Sequence, residues 1–104
     1  MGATKSHIHD ESHIKTSRIA KVFAHPARIA ILSHIVKHKQ CSCIELSEKI
    51  SLSQPTISQH LTVIKNQGVL IGKYEGKELY YTIKPHVIEE MQQDLSDCLM
   101  RLKS

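Results

Sequence analysis

The stretch SLSQPTISQHLTVIKNQG, residues 51–68, decides the fold. Ser53 is a good N-cap, Pro55 sits just inside the start where a missing N–H costs nothing, and Gly68 stands just past the end, where a left-handed residue is wanted. Between these signals Ile57, Leu61 and Ile64 recur at i, i+4 and i+7 as one apolar stripe. Gln54, Thr56, Ser58, Gln59 and His60 fall mostly elsewhere and form a short, uncharged, hydrogen-bonding set. Such a face suits base edges, since Gln pairs with adenine through two hydrogen bonds and Ser or Thr meets several bases. Taken alone, the segment equally describes an amphipathic surface helix.

Its neighbours narrow the choice. Residues 44–50 (IELSEKI) are a short helical pattern with Ile44, Leu46 and Ile50 apolar, and they run into the turn at 51–53. Helix, short turn and capped second helix make a helix-turn-helix, whose second helix enters the major groove. After Gly68 the period changes. Residues 69–74 and 79–83 are rich in β-branched and aromatic side chains, and Glu75-Gly76-Lys77-Glu78 between them reads as the turn of a β-hairpin.

The run ELSEKISLSQPTISQHLTVIKNQGVLIGKYEGKELYYTI, with HPARIAIL upstream, resembles the winged-helix repressors of the ArsR type, bacterial regulators that include many metal and metalloid sensors. His25-Pro26-Ala27-Arg28, the segment SQPTISQHL at 53–61 and the pair Tyr80-Tyr81 carry the likeness, which spans residues 18–100. The resemblance implies a mainly α fold with a small β-hairpin: about five helices and a two-stranded wing, dimerising through the first and last helices. Two-fold symmetry would then match a palindromic operator. Lys73 and Lys77 would lie near the wing tip and, with Lys65, meet the DNA backbone, where lysine positions rather than specifies. Ser53 would be both cap and first contact.

Composition sets the bounds. A chain of 104 residues is one small domain, 13–104 behind a tail, and a partner copy would help it bury surface. No run approaches about 18 apolar residues and no apolar signal region opens the chain, so a cytoplasmic protein without a membrane partner is expected. Three cysteines, an odd number, argue for reduced thiols rather than a disulfide framework. A net charge of +4 and a pI near 9.1 favour a polyanion without identifying one.

Residues 1–12 hold few apolar side chains and read as a flexible tail, whose His7, His9, Asp10 and Glu11, with His13 just beyond it, could supply ligands to a borderline metal. Ile14, Ile19, Ala20, Val22 and Phe23 predict a first helix over 13–24. Pro26 opens a second, to about Lys37, with Ile29, Ala30, Leu32, Ile35 and Val36 inward, while Arg28 and His34 read as surface or helix-end residues.

Cys41-Ser42-Cys43 precedes the helix-turn-helix. Two thiols there can clamp a soft ion only if the stretch is irregular, because i and i+2 diverge in a regular helix. The resemblance sharpens this: some arsenic-responsive ArsR members carry Cys-x-Cys directly before an acidic residue, whereas here Ile44 intervenes before Glu45. Cys41 and Cys43 are the candidate sensing pair, for trivalent arsenic or antimony, zinc, or a thiol-reactive species.

Pro85 starts the last helix, in which Ile88, Met91, Leu95, Cys98 and Leu102 are spaced 3, 4, 3, 4 as a seam that needs a partner, best supplied by a second copy. Related zinc sensors hold their ion on this helix, but Pro85, Val87 and Arg101 occupy positions that would need ligands, so that site is expected to be absent. The expected function is a homodimeric DNA-binding repressor released from double-stranded operator DNA by an inducer. A protein-contact winged helix and a metal-buffering protein are the rivals. No phosphate loop or nucleophile elbow points to an enzyme.

Overall fold

The computed structural model describes residues 9–104, in which α1 (Glu11–Val22), α2 (Pro26–His38), β1 (Cys41–Ser42), α3 (Cys43–Ile50), α4 (Gln54–Asn66), β2 (Leu70–Glu75), β3 (Glu78–Ile83) and α5 (Pro85–Lys103) follow in order. Side-chain acceptors set the starts of α1 to α4, whereas α5 opens at Pro85 without one. The Asp10 carboxylate accepts from the Ser12 N–H at 2.8 Å and its hydroxyl at 2.7 Å, which places the start of α1 at Glu11, two residues before the expected His13. Asp10 is thus a cap, Glu11 and His13 lie on the helix, and His7 lies outside the described residues. His25 caps α2 through Nδ1, and Ser53 caps α4 through its hydroxyl, each with Pro in the first turn.

The helix-turn-helix is formed by α3 and α4. Ser51 closes α3 in the left-handed region at φ 62°, an uncommon conformation for a residue with a Cβ, and its N–H bonds back to Ser47 at 2.9 Å. Gly68 at φ 77° ends α4, with its N–H 2.8 Å from the Lys65 carbonyl.

The sheet has three antiparallel strands in the order β1-β3-β2. Leu70 pairs with Ile83 and Glu75 with Glu78 in the hairpin, while Cys41 pairs with Tyr81 on its other side. The third strand adds to the expected two-stranded wing. At two residues it is too short to show alternation.

Ile19 and Val22 of α1, Ile31, Leu32 and Ile35 of α2, Leu46 of α3, and Ile57, Leu61 and Ile64 of α4 converge on Val69, Leu70, Tyr81 and Met91. Burying such side chains contributes roughly 1.5–3 kcal/mol each. Two expected inward residues differ. Ile29 and Val36 are 49% and 66% exposed, because the core face of α2 is carried by Ala27, Ile31, Leu32 and Ile35. With Phe23, Leu32, Ser33, Ile83 and Ile88 they instead line an open apolar groove of about 430 Å³. Ile44 is likewise 39% exposed, and Leu46 is the fully buried anchor of α3. Among the described residues no single helix is long and apolar enough to cross a membrane.

Candidate nucleic-acid interface

Ser53, Gln54, Ser58 and Gln59 are exposed on α4, opposite the buried Ile57, Leu61 and Ile64. Thr56 is half-buried and receives the Ser53 hydroxyl on its own hydroxyl oxygen at 2.9 Å, while its N–H donates to Ser53 at 3.3 Å. Ser53 is therefore spent largely on the cap. Thr62, exposed four residues after Ser58, donates to the Ser58 carbonyl at 2.9 Å and extends the same polar face. Its spacing from Ser58 and Gln59 is the signal by which sequence reasoning would find it.

His60 faces differently. Its Nδ1 lies 3.2 Å from Arg28 Nη1, and its ring centroid is 4.6 Å from that of His25. Burial, then the charges of His25 and Arg28, hold its pKa below the ordinary imidazole value. Arg28, expected as a surface or helix-end residue, is half-buried and bridges α2 to the flank of α4.

Lys65 is exposed with its ammonium 5.8 Å from the Tyr81 ring centroid, a cation–π contact that ties the end of α4 to β3. Lys73 is on β2 opposite Tyr80, and Lys77 is in the turn beside Gly76 at φ 65°. Both are exposed at the distal part of the hairpin. Gln40 Nε2 donates to Glu75 Oε2 at 3.2 Å and braces that hairpin against the connector after α2.

The cysteines sit on an irregular stretch, as shared binding would require. Ser42 is extended at φ −88°, ψ 166°, and forms a capping box: its hydroxyl accepts from the Glu45 N–H at 3.2 Å and its N–H donates to Glu45 Oε1 at 3.0 Å. The S-x-x-E spacing at 42–45 announces this cap. The thiols nevertheless bond apart. Cys41 is buried with Sγ 3.6 Å from the His34 carbonyl on α2, and Cys43 has Sγ 3.7 Å from the Gln54 carbonyl at the first position of α4. Burial, reinforced by Glu45 near Cys41 and Glu78 near Cys43, pushes both thiols up from their usual value. Among the described residues no group of three or more His, Cys, Asp or Glu side chains is placed to hold a metal ion.

On α5, Met91 is in the core and Ile88 packs against it; Leu95 and Cys98 are half-buried, and Leu102 is 76% exposed beside Leu99 and Met100 at 51% and 59%. Lys15 pairs with Asp94 at 3.2 Å across α1 and α5, a largely exposed ion pair that contributes little.

A capped polar helix on a helix-turn-helix, flanked by a lysine-tipped hairpin, defines a winged-helix DNA-binding protein. Residues 25–71 match the family model described as bacterial regulatory protein, arsR family. The transcriptional repressor PagR of Bacillus anthracis is 33% identical over 73 residues, covering 70% of this chain and 73% of that protein. Its crystal structure superposes with a TM-score of 0.63 at 31% identity, covering 79% of this chain and 94% of that one. The SmtB repressor of Mycobacterium tuberculosis is 32% identical, covering 73% of this chain and 56% of its own length. The arsenical resistance operon repressor of Escherichia coli is 27% identical, covering 67% of this chain and 60% of its own length. The chain belongs to the ArsR family. It is a DNA-binding transcriptional regulator and not an enzyme.

Proposed function

We propose that the protein is a homodimeric repressor that leaves its operator when a thiol-directed inducer engages Cys41 and Cys43. The observation that carries this reading is the Cys43 thiol bonded to the carbonyl of Gln54, the first residue of the reading helix. An ion or oxidant that takes this sulfur removes a tether at the start of α4, so the lever from inducer to DNA is one hydrogen bond long. Gln54, Thr56, Ser58, Gln59 and His60 face bases and nearby phosphates, and Lys65, Lys73 and Lys77 the backbone. Residues 13–104, with α1 from Glu11, act as one domain.

The part of α5 in dimerisation is supported by the exposed Leu99, Met100 and Leu102 and by Ile88, which lies both in the predicted seam and in the apolar groove along α2. Large exposed apolar surface of this kind is covered in a stable assembly. Trivalent arsenic or antimony suits the thiols better than zinc because both prefer soft sulfur, whereas zinc also takes nitrogen and oxygen; among the described residues no three ligands converge in one chain, so a complete site draws on the partner copy. The relative named for arsenical resistance supports the same inducer class.

Reduced protein bound to fragments of its own promoter region and then treated with arsenite, zinc or a mild oxidant tests the proposal. Release by arsenite in the wild type, and retention in a Cys41→Ser, Cys43→Ser variant, is expected. Binding indifferent to all three treatments would leave a DNA reader whose thiols only pack.

A further inference from the structure

His25, Arg28 and His60 meet where the start of α2 faces the flank of α4, and their hydrogen bonds settle which ring nitrogen carries each proton. His25 Nδ1 accepts from the Ala27 N–H at 3.0 Å. His60 Nδ1 faces Arg28 Nη1 at 3.2 Å, and a guanidinium nitrogen only donates. Each imidazole therefore holds its proton on Nε2 and presents an N–H donor away from its protein partner. The two rings are 4.6 Å apart at 48°. His25 is exposed and His60 half-exposed, so both are open to a ligand.

The remaining chemistry of the cluster has one sign. Arg28 Nε is buried without a hydrogen-bond partner, and the titratable groups acting on His60 are His25 and Arg28, with no carboxylate among them. Donors and a permanent cation without an acceptor select an anion rich in oxygen. Because His60 adjoins Gln59 on α4, the anion brought to it is the sugar-phosphate backbone of the duplex that α4 reads. We propose that His25, Arg28 and His60 form a backbone-phosphate site: the two imidazole N–H groups donate to one phosphodiester, and Arg28 holds His60 and supplies the charge. The site rests on the DNA-binding reading and adds a contact from α2, outside the helix-turn-helix and wing.

His25→Asn keeps an acceptor for the Ala27 N–H, and so the cap, while replacing the imidazole Nε2–H with an amide donor on a shorter side chain that does not reach as far. Its affinity should fall about 3- to 10-fold, equally on the protein's own promoter duplex and on one of mixed sequence. Arg28→Gln should lower the slope of log affinity against log salt by about one. Histidine ring resonances of the wild type should shift with the mixed duplex and stay unmoved by inorganic phosphate at equal phosphate concentration. Loss confined to the promoter duplex, or no loss in either variant, would overturn the site and leave the trio as packing. An equal shift with inorganic phosphate would overturn the duplex as its ligand. Wild-type protein that binds neither duplex would overturn the DNA-binding reading with it.

Discussion

The Sγ of Cys43 lies 3.7 Å from the carbonyl oxygen of Gln54, so a thiol on the first helix of the helix-turn-helix touches the first backbone group of the second. Cys41, two residues earlier, is bonded instead to α2 through the His34 carbonyl. The two sulfurs therefore differ in leverage. Cys43→Ser alone should abolish most of the inducer response, while Cys41→Ser should weaken it less and destabilise the fold more, because Cys41 is 3% exposed. Arsenite titration of DNA-bound protein, with thermal unfolding in parallel, separates the effects.

Gln59 and Lys77 should fail in different ways. Gln59→Ala should relax preference at one base pair by about 1–3 kcal/mol, because a side chain that reads a base edge discriminates among bases. Lys77→Ala should weaken binding uniformly and lower the salt slope by about one. A panel of single-base operator variants at two salt concentrations shows both.

The groove on α2 should report on assembly rather than on folding. Leu46 and Ile64 are fully buried, and truncating either to Ala should cost about 2–5 kcal/mol in denaturant unfolding. Val36, 66% exposed, should cost less than about 0.5 kcal/mol as Ala in the isolated chain. Val36→Glu should nevertheless shift the protein from dimer toward monomer in sedimentation, by placing a charge in the open apolar groove that the proposed dimer would cover.

Acid should loosen the α2–α4 contact. The folded pKa of His60 lies below the ordinary imidazole value of 6.5, through burial first and then through His25 and Arg28. The unfolded ring thus takes up a proton at higher pH than the folded one. Below 6.5 the unfolded state binds more protons, so the stability contributed at neutral pH is lost as pH falls toward the folded pKa. Thermal unfolding between neutral and mildly acidic pH should show this slope, and His60→Gln should flatten it.

Much of this was legible because it is local. Ser53, Pro55 and Gly68 bracket α4 in the sequence and in the structure, and Ile57, Leu61 and Ile64 form the predicted buried stripe. What could not be read depends on partners distant in the chain. Arg28 meets His60 across 32 residues, and β1 exists only because Tyr80 and Tyr81 return to pair with Ser42 and Cys41. Ile29 and Val36 read as core because apolar periodicity marks burial without saying whether the same chain or another copy supplies the cover. The cap formed by Asp10 and the capping box of Ser42 and Glu45 were readable, but neighbouring histidines and cysteines suggested metal chemistry at the same positions.

The most direct test is a titration of the reduced protein against a duplex from its own promoter region and against a scrambled duplex of the same length, across salt. Tight, salt-sensitive binding that favours the promoter duplex, with the preference reduced in Gln59→Ala, is the predicted result. Equal binding to both duplexes, or none to either, would contradict α4 as a reader of DNA sequence.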